Sequence, residues 1–468
     1  MTTRRAFLKT SAAAGLAANA SLFSALGRFG GAQAADTSGY KALVCIFLIG
    51  GMDHADTILP YDDSSYDRYA TIRAPLLARY ANNPGGSTRV KSQLLPLSPV
   101  NQASFGSRQF ALPPELGGLK TLFDDGKAAI VGNVGPLLQP VDRFDLEDDD
   151  SLFPPRLYSH NDQQSVWQAL EPEGARVGWG GLFADAMIAS GANQNPAFTA
   201  VTPAGNNVFL SGLSAQSYQI GGLDGTTELF YRSENAPLTQ ESKDLMGEFF
   251  AGAGQSFTNL FQQDIQTIQA NALATNSAFG AALGAVTQPL TTSFPQSFLG
   301  VQMEAVASVM NARAELQANR QVFYVLQPGY DTHSEQAQAI PALHADLAEC
   351  ITALYAATQE MGISADVTSF TASDFGRTLA INGDGTDHGW GGHHFVIGDS
   401  VIGNRIYGEL PIYDFDHPLD DGGGRLVPSV SIQQYAGTLG RWFGLTQSEL
   451  NQALPGRQSF PQMDLGFV

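Results

Sequence analysis

Residues 41–50, KALVCIFLIG, form an unbroken apolar run of strand length, rich in β-branched and aromatic side chains. Such a strand has no polar face to offer water. It must be covered on both sides, which is the situation of a strand inside a mostly parallel sheet. Residues 127–134 (KAAIVGNV), 321–327 (QVFYVLQ) and 367–372 (VTSFTA) read as further strands. Helical patterns alternate with them at 116–123, 302–320, 343–361 and 432–443, so the spacing predicts an α/β chain. With 43% apolar residues it can bury a large core. Residues 61–110 and the acidic run 142–150 (DRFDLEDDD) read as loops, 198–220 as strand-like, and 243–283 as helical.

In open α/β sheets, ligands gather on the loops leaving the carboxyl ends of the strands. That rule picks out Asp53, after Gly50 and Gly51 at the end of the first strand, and Asp331 and His333 after the strand 321–327. It also picks out Asp374, Asp387 and His388 in the stretch 367–398, which holds three of the eight histidines. Carboxylates and imidazoles on such loops are divalent-metal ligands by chemistry, and together they suggest a two-metal hydrolytic centre. Ser159 opens a helix through about Leu170 and is followed by Asp162, so it reads either as half of a capping box or as a nucleophile at a helix N-terminus. Arg377 is placed to hold an anionic oxygen or to make a structural ion pair, and His160 and His394 are further candidates for substrate contact. His344 lies within a helix and reads as structural.

The first 34 residues carry the twin-arginine pattern Thr3-Arg4-Arg5-Ala6-Phe7-Leu8-Lys9, an alanine-rich apolar stretch and the small-residue site Ala32-Gln33-Ala34. Residues 1–34 are therefore expected to be an export signal, and the mature chain to be periplasmic or secreted without a transmembrane anchor. Those residues hold four basic side chains and no acid, so the formal net charge of −20 becomes −24 without them. A surface this acidic disfavours nucleic acid and anionic lipid as main partners, while an anionic substrate needs local cations that bound metal could supply. Cys45 sits mid-strand and Cys350 mid-helix, which favours two buried thiols over a disulfide.

The segments GGMDHADTILPY, NVGPLLQP, PPRLYSHNDQQSVWQ, GYDTHSEQ, SDFGRT, GTDHGWGGHHFVIG and QQYAGTLGRWFG occur in this order. Together they resemble a large bacterial family of twin-arginine-exported proteins, classified as a domain of unknown function within the alkaline phosphatase/sulfatase superfamily. The resemblance covers nearly the whole mature chain. It implies a three-layer α/β sandwich with a mostly parallel central sheet over residues 35–468, and a largely helical insertion or lid at roughly 199–300. It further implies a hydroxyl or thiol nucleophile between two divalent metals (Zn, Ca, Mg or Mn). Carried over by position, Ser159 resembles the nucleophile, Asp53 the ligand of the nearer metal, and Asp331 with His333 the pair on the second. Either Asp387-His388 or the Ser373-Asp374-Phe375-Gly376 stretch is the counterpart of the superfamily's Asp-His motif; in the second case Phe375 replaces a ligating histidine.

The reading these features give is an exported metal-dependent hydrolase of phosphate or sulfate esters, acting on a small anionic ester or a glycan or lipid ester, with Ser159→Ala abolishing turnover. The alternatives are a non-catalytic exported binding or envelope-assembly protein on the same fold, and a group transferase acting on envelope glycans or lipids.

Overall fold

The computed structural model describes residues 35–83, 87–221, 238–251 and 260–468. The expected export signal at 1–34 lies outside the described residues. In chain order the strands are β1 (Lys41–Ile49), β2 (Leu59–Pro60), β3 (Leu95–Pro96), β4 (Phe110–Leu112), β5 (Ala128–Gly135), β6 (Ala200–Thr202), β7 (Tyr218–Gln219), β8 (Arg320–Pro328), β9 (Val367–Ser373), β10 (Arg377–Asn382), β11 (Gly385–His388), β12 (Gly392–Ile397), β13 (Ile406–Gly408) and β14 (Val430–Ser431). Nine of them make one sheet ordered β13-β5-β12-β9-β1-β8-β6-β7, with β14 also paired to β5. Neighbours run parallel except at β12, which is antiparallel to both β5 and β9. The chain is thus mixed α/β around a large, mostly parallel sheet.

The alternation along β1 explains its composition. Ala42, Val44, Ile46 and Leu48 pack into one core, with side chains from the helices Gly117–Asp124, Phe298–Asn311 and Gln336–Glu360. Leu43, Cys45 and Phe47 point to the opposite core, built with the helices Trp179–Ala189, Ile432–Phe443 and Gln447–Ala453. Both faces are dry, so both sets must be apolar. Cys45 and Cys350 are buried free thiols. No helix among the described residues is long and apolar enough to cross a membrane.

Several segments differ from the sequence reading. Residues 61–110 hold the helices Asp63–Ile72 and Ala74–Asn82, the first capped by Asp62 and the second started by Pro75, and they bury Tyr69, Leu76 and Tyr80. The acidic run is not a loop: Asp142 forms a capping box with Asp145 over the short helix Arg143–Asp148. The helix expected at 302–320 runs Phe298–Asn311, and the one expected at 343–361 starts earlier, as Gln336–Glu360. Only β6 and β7 are strands within 198–220, and both belong to the main sheet. Beyond them lie the helices Gln240–Ala251 and Leu260–Ala285; the parts of the expected insertion at 222–237 and 252–259 are outside the described residues.

The register brings the ends of β1, β8 and β9 level, with Ile49 opposite Pro328 and Leu48 opposite Ser373. The loops that follow therefore emerge side by side. Gly50 has φ +118°, and a Cβ there would collide with the backbone of Tyr330 and Asp331. Glycine is required at this point both by the backbone angle and by the close approach of the Asp331 loop. Gly50→Ala is expected to lower unfolding free energy by about 3 kcal/mol. A denaturation midpoint equal to that of the parent chain would contradict the contact.

Candidate metal centre

Three imidazoles meet at one carboxylate oxygen. The Nε2 atoms of His160, His333 and His388 lie 3.3, 3.2 and 3.5 Å from Asp331 Oδ1. The Nε2 atoms of His333 and His388 are 2.8 Å apart. His160, Asp331 and His388 offer ligand atoms that all lie within 4.8 Å of one another.

Each ring comes from a different element. His160 is the first residue of the helix His160–Ala169, His333 is on the loop after β8, and His388 ends β11. The β10–β11 hairpin can approach the β8 loop because of Gly385, where a Cβ would strike the carbonyls of Thr332 and His333. Arg377, the cross-strand partner of His388, is fully buried and ties the loops together. Its Nη1 donates to the Gly50 carbonyl at 2.6 Å and to Asp331 Oδ1 at 3.1 Å, and its Nη2 donates to the Thr386 carbonyl at 2.6 Å.

The far nitrogen of every ring is held by an acceptor. His160 Nδ1 is 2.7 Å from Asp374 Oδ2, His388 Nδ1 is 2.7 Å from the Tyr158 carbonyl, and His333 Nδ1 is 3.3 Å from Asp387 Oδ1. An acceptor at Nδ1 places the proton there in a neutral ring, so each Nε2 presents a lone pair to Asp331. Three lone pairs and an anionic oxygen in one small volume repel one another unless a positive charge lies among them. His160 Nε2 is moreover buried without a hydrogen-bond partner. His160, Asp331 and His388 are the set whose donors lie close enough to share an ion, with His333 adjoining it through Asp331 and His388.

The hydrogen bond that His160 donates to Asp374 raises its pKa above the usual histidine range, and burial lowers that of His388. Burial works against the charge of Asp331, but the Arg377 guanidinium and the His160 ring outweigh it and hold its carboxyl below the usual range. Asp331 and His333 keep 47% and 42% of their side-chain surface exposed, so the cluster opens to solvent. It opens into a pocket of ≈ 400 Å³ lined by Tyr158, His333, Asp387, His388, Asp421 and Arg425.

Of the six residues expected as ligands, Asp331, His333 and His388 come together. Asp374 and Asp387 stand behind histidines as orienting carboxylates. Asp53 does not join them. Its carboxylate is buried against Arg73, with Nη1 2.6 Å from Oδ2 and Nη2 2.9 Å from Oδ1, while Gln336 Nε2 donates to it at 2.6 Å. It also accepts the Ala55 N–H, capping the helix His54–Thr57. Burial opposes its charge, but Arg73 keeps its pKa below the ordinary value.

The Ser159 hydroxyl donates to Asp162 Oδ2 at 2.8 Å and makes no capping bond. His160, expected to touch substrate, is the fourth member of the cluster. Arg377 has the structural role, not the anion-binding one. His394 is buried beside Trp167 and Tyr435, its Nδ1 3.3 Å from Thr371 Oγ1 and its pKa pushed down to about 3 by burial, so it does not reach the pocket. His344 is structural, buried with neither ring nitrogen bonded. Tyr158 and Arg425 escaped the sequence reading; the adjacency of Tyr158 to His160 was the available signal for the first, and nothing marked the second.

The profile of a family described as "Protein of unknown function (DUF1501)" matches residues 40–454. No curated protein matches the chain significantly. Among solved structures, the chain is similar to Ps i-CgsB in complex with k-i-k-neocarrahexaose, at 9% identity and TM-score 0.34, covering 90% of this chain and 75% of that one. It is also similar to a structure from work on the metabolism of multiple glycosaminoglycans by Bacteroides thetaiotaomicron, at 9% identity and TM-score 0.35, covering 89% of this chain and 74% of that one. Overlaps this loose transfer neither a fold nor a chemistry to this chain.

Two substitutions separate the roles of the acidic residues. Asp53→Ala leaves Arg73 buried without its partner and is expected to cost about 3–5 kcal/mol of stability while leaving bound metal unchanged. His388→Ala is expected to abolish stoichiometric metal binding. Elemental analysis beside denaturant unfolding reads both; loss of metal in the folded Asp53 variant would restore Asp53 as a ligand.

Proposed function

The chain belongs to the DUF1501 family, and from the geometry of its pocket we propose an exported metal-dependent hydrolase of small anionic esters, phosphate or sulfate, on an alkaline phosphatase/sulfatase-like fold. The observation that carries this reading is the convergence of three Nε2 lone pairs on Asp331 Oδ1, each backed at Nδ1 by an acceptor.

His160, His333, His388 and Asp331 would hold one divalent cation. Three imidazoles and a carboxylate suit Zn²⁺, or Fe²⁺ and Mn²⁺ less well, whereas Ca²⁺ and Mg²⁺ take oxygen donors, so the expected choice of metals narrows. A cation there would supply Lewis-acid polarisation of an ester oxygen and of water. The residues do the rest. Asp374, Asp387 and the Tyr158 carbonyl orient the three rings, and Arg377 fixes Asp331 so that its oxygen cannot swing away. The open pocket admits substrate and water from one side. With the Ser159 hydroxyl engaged by Asp162, the attacking oxygen in this reading is that of water, and the products are the alcohol and the free oxyanion. Residues 1–34 would direct the chain to the periplasm or the exterior.

The test is elemental analysis and turnover on aryl phosphates and aryl sulfates, for the parent chain, Ser159→Ala and His160→Ala. About one ion per chain, retained activity in Ser159→Ala and a loss of about 1,000-fold or more in His160→Ala are expected. Two ions per chain with an inactive Ser159→Ala would return the two-metal serine mechanism. One ion and no turnover on any ester would leave a metal-dependent binding protein.

A further inference from the structure

Of the six residues lining the pocket beside the metal cluster, Arg425 alone carries a fixed positive charge. Its place is built. Nε donates to the His388 carbonyl at 3.0 Å, Nη1 donates to the Gly422 carbonyl at 3.0 Å, and the guanidinium lies 5.3 Å from the centre of the Tyr158 ring. These contacts orient the planar group without an ion pair. Among the described residues no carboxylate lies within 4.0 Å of Arg425, and its Nη2 makes no hydrogen bond to protein.

Asp421 lines the same pocket. It accepts the Tyr158 hydroxyl on Oδ2 and feels the Arg425 charge without pairing with it. Tyr158 therefore serves three neighbours at once. Its carbonyl orients His388, its ring supports Arg425, and its hydroxyl holds Asp421. Its backbone has φ +68°, a region unfavourable for an aromatic residue, so the surrounding fold stabilises this arrangement against local strain.

We propose that Arg425 is the specificity-determining residue of the pocket, binding the tetrahedral oxyanion of a sulfate or phosphate ester through its free Nη edge while the same ester lies against the metal cluster. Arg425 hangs on the carbonyl of His388, itself one of the ligating residues, so the two binding elements are held in one rigid relation. A planar fork with open donors matches the oxygens of a tetrahedral anion, which a lysine point charge does not. A neutral ester would gain nothing from it. The inference rests on the metal-centre reading of the same pocket.

The experiment is calorimetric titration of inorganic sulfate and inorganic phosphate into the metal-loaded full chain, compared with Arg425→Gln and Arg425→Lys, with metal content measured on each. Affinity for at least one anion is expected to fall by about tenfold or more in Arg425→Gln, with only partial recovery in Arg425→Lys. Where the chain hydrolyses aryl sulfates or phosphates, kcat/KM for them should fall in parallel while any hydrolysis of neutral aryl acetate is unchanged. An unchanged anion affinity in a metal-replete Arg425→Gln, or no binding of either anion to the loaded parent, would overturn the proposal. Should Arg425→Gln lose its metal, Arg425→Lys decides: full parent affinity in it would overturn the fork. Anion binding that depends on Arg425 without turnover of any ester would instead sustain this role and sink the hydrolase.

Discussion

Strand β1 is apolar on both faces and is closed on both edges by β8 and β9, and the location of the chemistry follows from that constraint. Parallel pairing in the observed register makes the three strands end at the same height. The backbone leaving each must then turn within a few residues in the same small space. Gly50 accepts the Arg377 guanidinium on its carbonyl and donates its N–H to Asp374 Oδ1, while the Tyr330 N–H returns to the Ile49 carbonyl. Three loops distant in sequence are thereby fixed against one another by backbone groups that would otherwise be buried unpaired. The ligands are precise because the scaffold beneath them has no freedom left.

Buried arginines do much of this fixing. Arg73 holds Asp53, Arg89 holds Asp56, and Arg377 joins Gly50, Thr386 and Asp331, all with essentially no exposure. A buried guanidinium is costly to desolvate and is stable only when its donors are met. Each of these is met by carboxylates or carbonyls at the ends of strands and short helices. An acidic chain thus places several of its few cations inside, where they neutralise the carboxylates that the turns require.

The strands were legible because continuous apolar runs admit one environment, and the meeting of Asp331, His333 and His388 was legible because they lie on the segments beyond those strands. His160 joins them from a helix N-terminus, and the spacing of a helix start says nothing of which loops it faces. Asp53 was hard to place for the opposite reason. It stands where a ligand belongs, but its partner Arg73 sits between two helices in a stretch whose Tyr, Asp, Asn and Ser content read as loop. The apolar residues there, Tyr69, Leu76 and Tyr80, are spaced too sparsely for periodicity to reveal the helices, and tertiary packing stabilises them instead.

The division of labour between histidine and carboxylate in the pocket also has a physical reason. Were Asp374 and Asp387 to ligate directly, three carboxylates would surround the ion and leave the site anionic. Placed behind His160 and His333, the same carboxylates still strengthen the imidazoles as donors but at a distance, while Asp331 alone offers a formal negative charge and is itself paired with Arg377. A divalent cation in that frame retains most of its positive charge toward the open side. With a cation bound there, an anion approaching a chain of net charge −20 would meet a locally positive pocket because the acids stand one shell outward.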